Sequence, residues 1–159
     1  MLQWGVFTGQ KRFALEMKDS FMMSKQLPAT EALIHVMVMV SASDSRMNDA
    51  ELLAIGEIVK TLPVFRNFDK DRLVTVSQEC AERMGADNGL SDTLDLIAAS
   101  LPEKLHDTAY ALGVEVAASD LSLKQEELRM LQMLRDRLKL DRLTIAAIER
   151  GVQARYRTI

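Results

Sequence analysis

Residues 35–62 read HVMVMVSASDSRMNDAELLAIGEIVKTL, and residues 109–138 read AYALGVEVAASDLSLKQEELRMLQMLRDRL. The second stretch restates the first at an offset of 76: Val38 returns as Val114, Val40 as Val116, and Ala42-Ser43-Asp44 as Ala118-Ser119-Asp120. Glu51-Leu52 returns as Glu127-Leu128, and the stripe Leu52, Ile55, Ile58, Leu62 maps onto Leu128, Leu131, Leu134, Leu138 without a gap. Apolar residues at three- and four-residue intervals mark an amphipathic helix rather than a strand. A helical repeat that also preserves a carboxylate seven positions before a second one constrains both the fold and the candidate site.

Working outward, Asp71-Arg72-Leu73 recurs as Asp141-Arg142-Leu143 at an offset of 70, so the first copy carries six extra residues within 63–70. Each copy therefore predicts three helices: a very apolar one, an amphipathic one and a third opened by the DRL sequence. Repeat 1 spans about 29–84, repeat 2 about 102–156, and residues 85–101 connect them through a short helix. With an N-terminal helix over 9–25, built on Phe13, Met17 and Phe21, the expectation is an all-α fold of seven to eight helices. Residues 1–159 form one domain in this reading, with the two copies related by a pseudo-twofold axis. A chain of this length buries roughly two-thirds of its unfolded surface.

The helices at about 31–42 and 102–118 are apolar nearly all round, which places them against each other at the bundle centre. Thr30 is the expected cap of the first, and Pro102 occupies the first turn of the second. The helix at about 48–62 opens with Asn48, and Glu51 three residues later completes a capping box, with Met47 and Leu52 spaced as a hydrophobic staple. In the second copy Leu123 and Leu128 repeat the staple, but Lys124 takes the cap position. An ammonium group has no lone pair to offer, so the sequence leaves Glu127 without a reciprocal partner. Helices at about 69–84, ending at Gly85, and about 141–156 complete the prediction; no segment alternates with period two.

Composition narrows the function classes. Hydrophobic residues make up 48% and charged residues 27%, with three prolines and seven glycines, as in a soluble helical domain. The longest apolar run falls far short of the ~20 residues that span a bilayer, and no export signal opens the chain. One cysteine, Cys80, fits a reducing cytoplasm. The ends are basic, whereas residues 31–134 carry nine basic and eighteen acidic side chains. Such an acidic middle disfavours nucleic acid as a partner.

Asp44 and Asp120 follow the C-terminal ends of apolar helices, where the helix dipole gives a carboxylate no support. Either each aspartate shapes a turn and each glutamate serves the next helix, or symmetry gathers Asp44, Glu51, Asp120 and Glu127 at one end of the bundle. In the second case, four hard oxygen donors would favour a divalent cation such as calcium, magnesium or manganese. Glu115 lies on an exposed strip or joins this corner. The rival chemistry is a metal-dependent phosphohydrolase of the HD type, using His35, His106 and Asp107. Cys80 is a poor nucleophile, because Glu79 and Glu82 beside it would raise its pKa. The ten methionines fall mostly on core-facing positions. No phosphate loop or Ser–His–Asp constellation is present, so no catalytic residue is assigned.

An all-helical chain with Ala42-Ser43-Asp44 followed by Glu51, and Ala118-Ser119-Asp120 followed by Glu127, resembles the TerB-like tellurite-resistance proteins. Their helical module also occurs in DjlA-type co-chaperones. The likeness covers roughly residues 28–152. It implies a bacterial, cytoplasmic, non-enzymatic binding or scaffold protein of tellurite resistance or wider stress response. It also implies a protein partner such as a TerC-type integral membrane protein, and metal binding by acidic surface residues. The family places glycine after each aspartate, where this chain has Ser45 and Leu121. The sequence therefore predicts corners that lack the glycine turn and hold an ion weakly.

Overall fold

The computed structural model describes residues 26–42, 47–119 and 121–159. Among the described residues seven α-helices follow one another: α1 (Ala29–Ser41), α2 (Asp49–Thr61), α3 (Leu73–Met84), α4 (Gly89–Ser100), α5 (His106–Ala118), α6 (Gln125–Arg137) and α7 (Arg142–Arg155). Among the described residues there is no strand. The expected N-terminal helix over 9–25 lies outside the described residues.

Helix α1 is the axis of the bundle. Every residue from Glu31 to Ser41 is buried, because α3, α4, α5 and α6 surround it. Leu33, Ile34, Met37 and Met39 are fully enclosed, and removing each such side chain from water stabilises the fold by about 1.5–3 kcal/mol. Its broadest contact is with α5, the partner that its all-round apolarity predicted. Gly113 stands at this crossing: a Cβ there would sit 3.0 Å from Leu131 Cδ2 and 3.5 Å from both Val36 Cγ1 and Val40 Cγ2. The missing side chain is what lets α1, α5 and α6 approach. Helix α1 packs on α3 and α2 as α5 packs on α7 and α6, and the cross-contacts α1 to α6 and α5 to α2 are both present.

Local chemistry sets the boundaries, and several differ from the sequence expectation. Helix α1 begins one residue before Thr30, on Pro28, without a side-chain cap. Proline's fixed φ suits a helix entrance, so Thr30 falls into the first turn. Pro102 does not lie in the α-helical first turn; it opens a 3-10 turn, Glu103–Leu105, that leads into α5. The helix expected from 69 likewise starts as a 3-10 turn, Lys70–Arg72, in which Asp69 accepts from the Asp71 N–H. The recurring DRL sequence consequently does two jobs. Asp141 caps α7, accepting from the Thr144 N–H at 3.0 Å and the Thr144 hydroxyl at 2.6 Å. In the first copy it is Arg72 that matters, reaching the buried Glu31 carboxylate at 2.6 Å and fastening the entrance of α1.

The six extra residues of the first copy also contribute to the core. They contain a 3-10 turn, Pro63–Phe65, that buries Phe65 completely and sets it edge-to-face on Phe68 at 6.4 Å between centroids. Gly85 ends α3 with right-handed backbone, so it is not a left-handed cap. The left-handed residue of that turn is Asn88 (φ 57°), a residue type that tolerates the conformation. Gly89, next in line, is required for a different reason: a Cβ would overlap the Arg83 carbonyl oxygen and stand 2.6 Å from that of Met84.

Candidate functional site

The two hairpin corners join α1 to α2 and α5 to α6. Asp44 and Asp120 lie outside the described residues; Glu51 and Glu127 lie within them. At the first corner the capping box is complete. Asn48 Oδ1 accepts from the Glu51 N–H at 2.9 Å, and Glu51 Oε2 accepts from the Asn48 N–H at 2.8 Å. At the second corner the Lys124 side chain caps nothing, but the reciprocal half survives: Glu127 Oε2 accepts from the Lys124 N–H at 3.0 Å. The expectation that Glu127 lacks a structural partner is thus corrected, because the backbone N–H at the helix entrance needs only the carboxylate. Glu127 is 4% exposed, far more enclosed than Glu51. Burial of that carboxylate is tolerated because it sits at the positive end of α6 and is hydrogen-bonded.

Leu121 corrects a second expectation. Its φ is 61°, the left-handed conformation a glycine would adopt after the aspartate, and its N–H closes the turn on the Ala118 carbonyl at 3.2 Å. The turn is therefore kept without glycine, although left-handed backbone costs a leucine about 1–2 kcal/mol. Ser45, the matching position of the first copy, lies outside the described residues. The staple predicted from Leu123 and Leu128 does not bury either side chain. Leu121, Leu123 and Leu128 are 64%, 53% and 47% exposed and lean over a groove of about 500 Å³. Its floor is Val114, Ala117, Leu131 and Val152, and Tyr156 and Arg157 at the end of α7 close one side.

Polar ties hold α7 against this groove. Glu115, 16% exposed at its side chain, accepts from Arg155 Nη1 at 2.9 Å and from the Tyr156 hydroxyl at 2.8 Å. It does not lie idle on an exposed strip; it holds the C-terminal end of α7. One turn earlier the Tyr110 hydroxyl donates to Glu149 Oε1 at 2.7 Å, with Arg135 at 3.7 Å from the same oxygen. Burial first, and then the Glu149 carboxylate, push the Tyr110 phenol up to about 12, so it stays a donor throughout the physiological range. The sequence held no signal for these pairs, because their members lie 39 to 41 positions apart. The groove left a weak one, in two leucines within a turn at 121–123.

The rival catalytic constellation does not assemble. His35 is fully buried in α1, where Nδ1–H donates to the Glu31 carbonyl at 2.8 Å and Nε2 has no partner. Burial lowers its pKa. His106 is half-buried, with Nε2 at 3.2 Å from the Leu101 carbonyl oxygen. Asp107 is exposed and accepts from the Thr108 N–H. Helical geometry turns the two histidines to separate backbone carbonyls. Among the described residues, no group of three or more His, Cys, Asp or Glu side chains is placed to hold a metal ion. Cys80 is buried, with its thiol pushed up to about 12 by desolvation; Arg83 lowers it slightly, and the neighbouring glutamates are not the cause. No described helix is long and apolar enough to cross a membrane.

Comparison with known proteins adds one finding. The family described as tellurite resistance protein TerB matches residues 30–150, from the start of α1 into α7. No curated protein and no solved structure matches the chain. With the family match taking in both corners and running from α1 into α7, the chain belongs to the tellurite resistance protein TerB family.

Proposed function

We propose that this protein is a non-enzymatic binding module of a bacterial tellurite-resistance or stress-response system. In this reading its acidic corners take a divalent cation and a protein partner, of the TerC integral membrane type, joins it in the cytoplasm. The observation that carries the reading is the TerB match across both corners, together with two glutamates at equivalent positions of a helical repeat. Asp44, Glu51, Asp120 and Glu127 are the proposed donors, all hard oxygens suited to calcium, magnesium or manganese. The left-handed turn at Leu121 supports it, since the backbone path associated with the family glycine is available at the second corner. Glu51 and Glu127 each hold a helix entrance through one oxygen, which limits how freely they can turn toward an ion and implies weak binding.

Calorimetric titration of calcium, magnesium and manganese into the wild type and into an Asp44→Asn/Asp120→Asn double variant tests this. Binding that the double variant loses supports the cation site. Equal heats from both proteins would reduce the aspartates to turn formers.

A further inference from the structure

A second groove, of about 440 Å³, runs between the C-terminal end of α3 and the outward face of α4. Helix α4 packs inward on α1, α3 and α6, and its outward face keeps Asp92, Asp95, Leu96 and Ala99 at helical spacing. Arg83 and Ala86 line the groove from the α3 side. Gln26 is also in the lining, so the described part of the chain begins in this groove. The next residue fixes that position: the Leu27 N–H donates to Ser100 Oγ at 2.9 Å, at the last residue of α4. The residues before Gln26 therefore start from one end of the groove.

Residues 9–25 lie outside the described residues, but their sequence fits this setting. Wound as a helix, Phe13, Met17 and Phe21 fall on one stripe, with Lys11, Lys18 and Lys25 along one edge of it and Glu16 on the other. The groove has the same division. Its α4 side carries Asp92 and Asp95, the latter already bonded to Arg137, and its α3 side carries Arg83. Leu96, Ala86 and Ala99 supply apolar surface between them. Lysines toward the aspartates and Glu16 toward Arg83 set opposite charges together on both sides. Length agrees as well, since residues 9–25 as a helix reach about 25 Å and α4 roughly 18 Å. Entry at the Ser100 end makes the segment parallel to α4, with Lys18 level with Asp92 when Lys25 is level with Ala99. Tethering favours this occupant over a free protein, because a covalently joined helix is present at roughly millimolar local concentration.

We propose that residues 9–25 dock in this groove as an amphipathic helix parallel to α4. Phe13, Met17 and Phe21 cover Leu96, Ala86 and Ala99, and Lys18 meets Asp92. The chain thereby closes its own surface with a basic helix. This docking is independent of the cation reading, whose corners lie at other helix junctions.

The full-length protein, isotope-labelled for NMR, carries a nitroxide on Asp19→Cys, which falls on the helix side away from the stripe. Cys80 is buried and stays unlabelled. Spectra of the oxidised and the reduced label show which amides lie near it. Broadening is expected at Ala86, Asp92, Leu96 and Ala99, and not at Leu53 on α2 or Val152 on α7. Phe21→Ser should lower the ratio of docked to free segment at least about tenfold. Lys18→Glu should reduce the broadening, and Lys18→Glu/Asp92→Lys should restore it, a recovery that a merely misfolded variant would not show. Circular dichroism confirms that each variant is folded. Broadening that is spread evenly over the surface, or absent from the groove, overturns the proposal and leaves the groove to a separate partner. A double exchange that fails to restore the broadening overturns the placement of Lys18 at Asp92. In a mixture of isotope-labelled protein without nitroxide and unlabelled protein with it, broadening of the groove amides would assign the segment to a second copy and overturn docking within one chain.

Discussion

The left-handed backbone at Leu121 makes a prediction whose sign is opposite to the ordinary one. Two variants are compared, Leu121→Ala and Leu121→Gly, both of which remove the leucine side chain, so that their difference reports the backbone alone. With φ at 61°, any L-residue is strained by about 1–2 kcal/mol, and glycine is not. Glycine also gives the unfolded chain more freedom, which destabilises the fold by about 0.4–1 kcal/mol. The glycine variant should therefore be the more stable by about 0.5–1 kcal/mol, roughly 1–4 °C in Tm for a domain of this size. Relative to wild type, the alanine variant should lose about 0.5–1 kcal/mol. That is roughly one-third of a full leucine burial, since the side chain is already 64% exposed. Urea unfolding followed by circular dichroism measures this, with the midpoints compared at a common slope. If alanine proves as stable as glycine or more so, the corner does not hold the left-handed turn, and the argument for a retained family geometry fails with it.

Gly89→Ala should destabilise by about 1–3 kcal/mol in the same assay, because the added methyl meets the Arg83 and Met84 carbonyls rather than a yielding side chain. His35 has its pKa lowered by burial, so the folded state resists a proton that the unfolded state accepts below about 6.5. Its contribution is complete above that pH and is lost as pH falls through it, by up to about 1.4 kcal/mol per unit until the folded pKa is reached. Urea midpoints measured down to about pH 5 should fall less steeply in His35→Leu than in wild type. A buried thiol pushed up to about 12 should leave Cys80 unlabelled by an aromatic disulfide reagent in the native protein and fully labelled in denaturant; rapid native labelling would contradict the placement of α3.

The helices were legible because their periodicity is local. The all-round apolarity of residues 33–40 put α1 at the centre, and its contact with α5 followed from the matching apolarity of the second copy. The Asn48–Glu51 box was legible for the same reason, since it joins residues three apart. What stayed hidden depends on distance in sequence. Nothing around Glu115 announces Arg155 and Tyr156, and nothing in residues 63–68 distinguishes a loop from a turn that buries Phe65. The second corner was misread in both directions. Lys124 suggested an uncapped helix, yet Glu127 reaches back to its N–H; Leu121 suggested a lost turn, yet the leucine adopts glycine's backbone. Residue-type rules give average costs, and the surrounding fold can absorb one or two of them at a tight corner.

The central claim, a TerB-family binding module with a cation at its acidic corners, is tested most directly by calcium titration calorimetry on the wild type and on Asp44→Asn/Asp120→Asn. The account predicts weak, saturable heats in the wild type that are absent from the double variant, while both proteins unfold at closely similar urea concentrations. Saturable heats of the same size in both, or none in either, would contradict it.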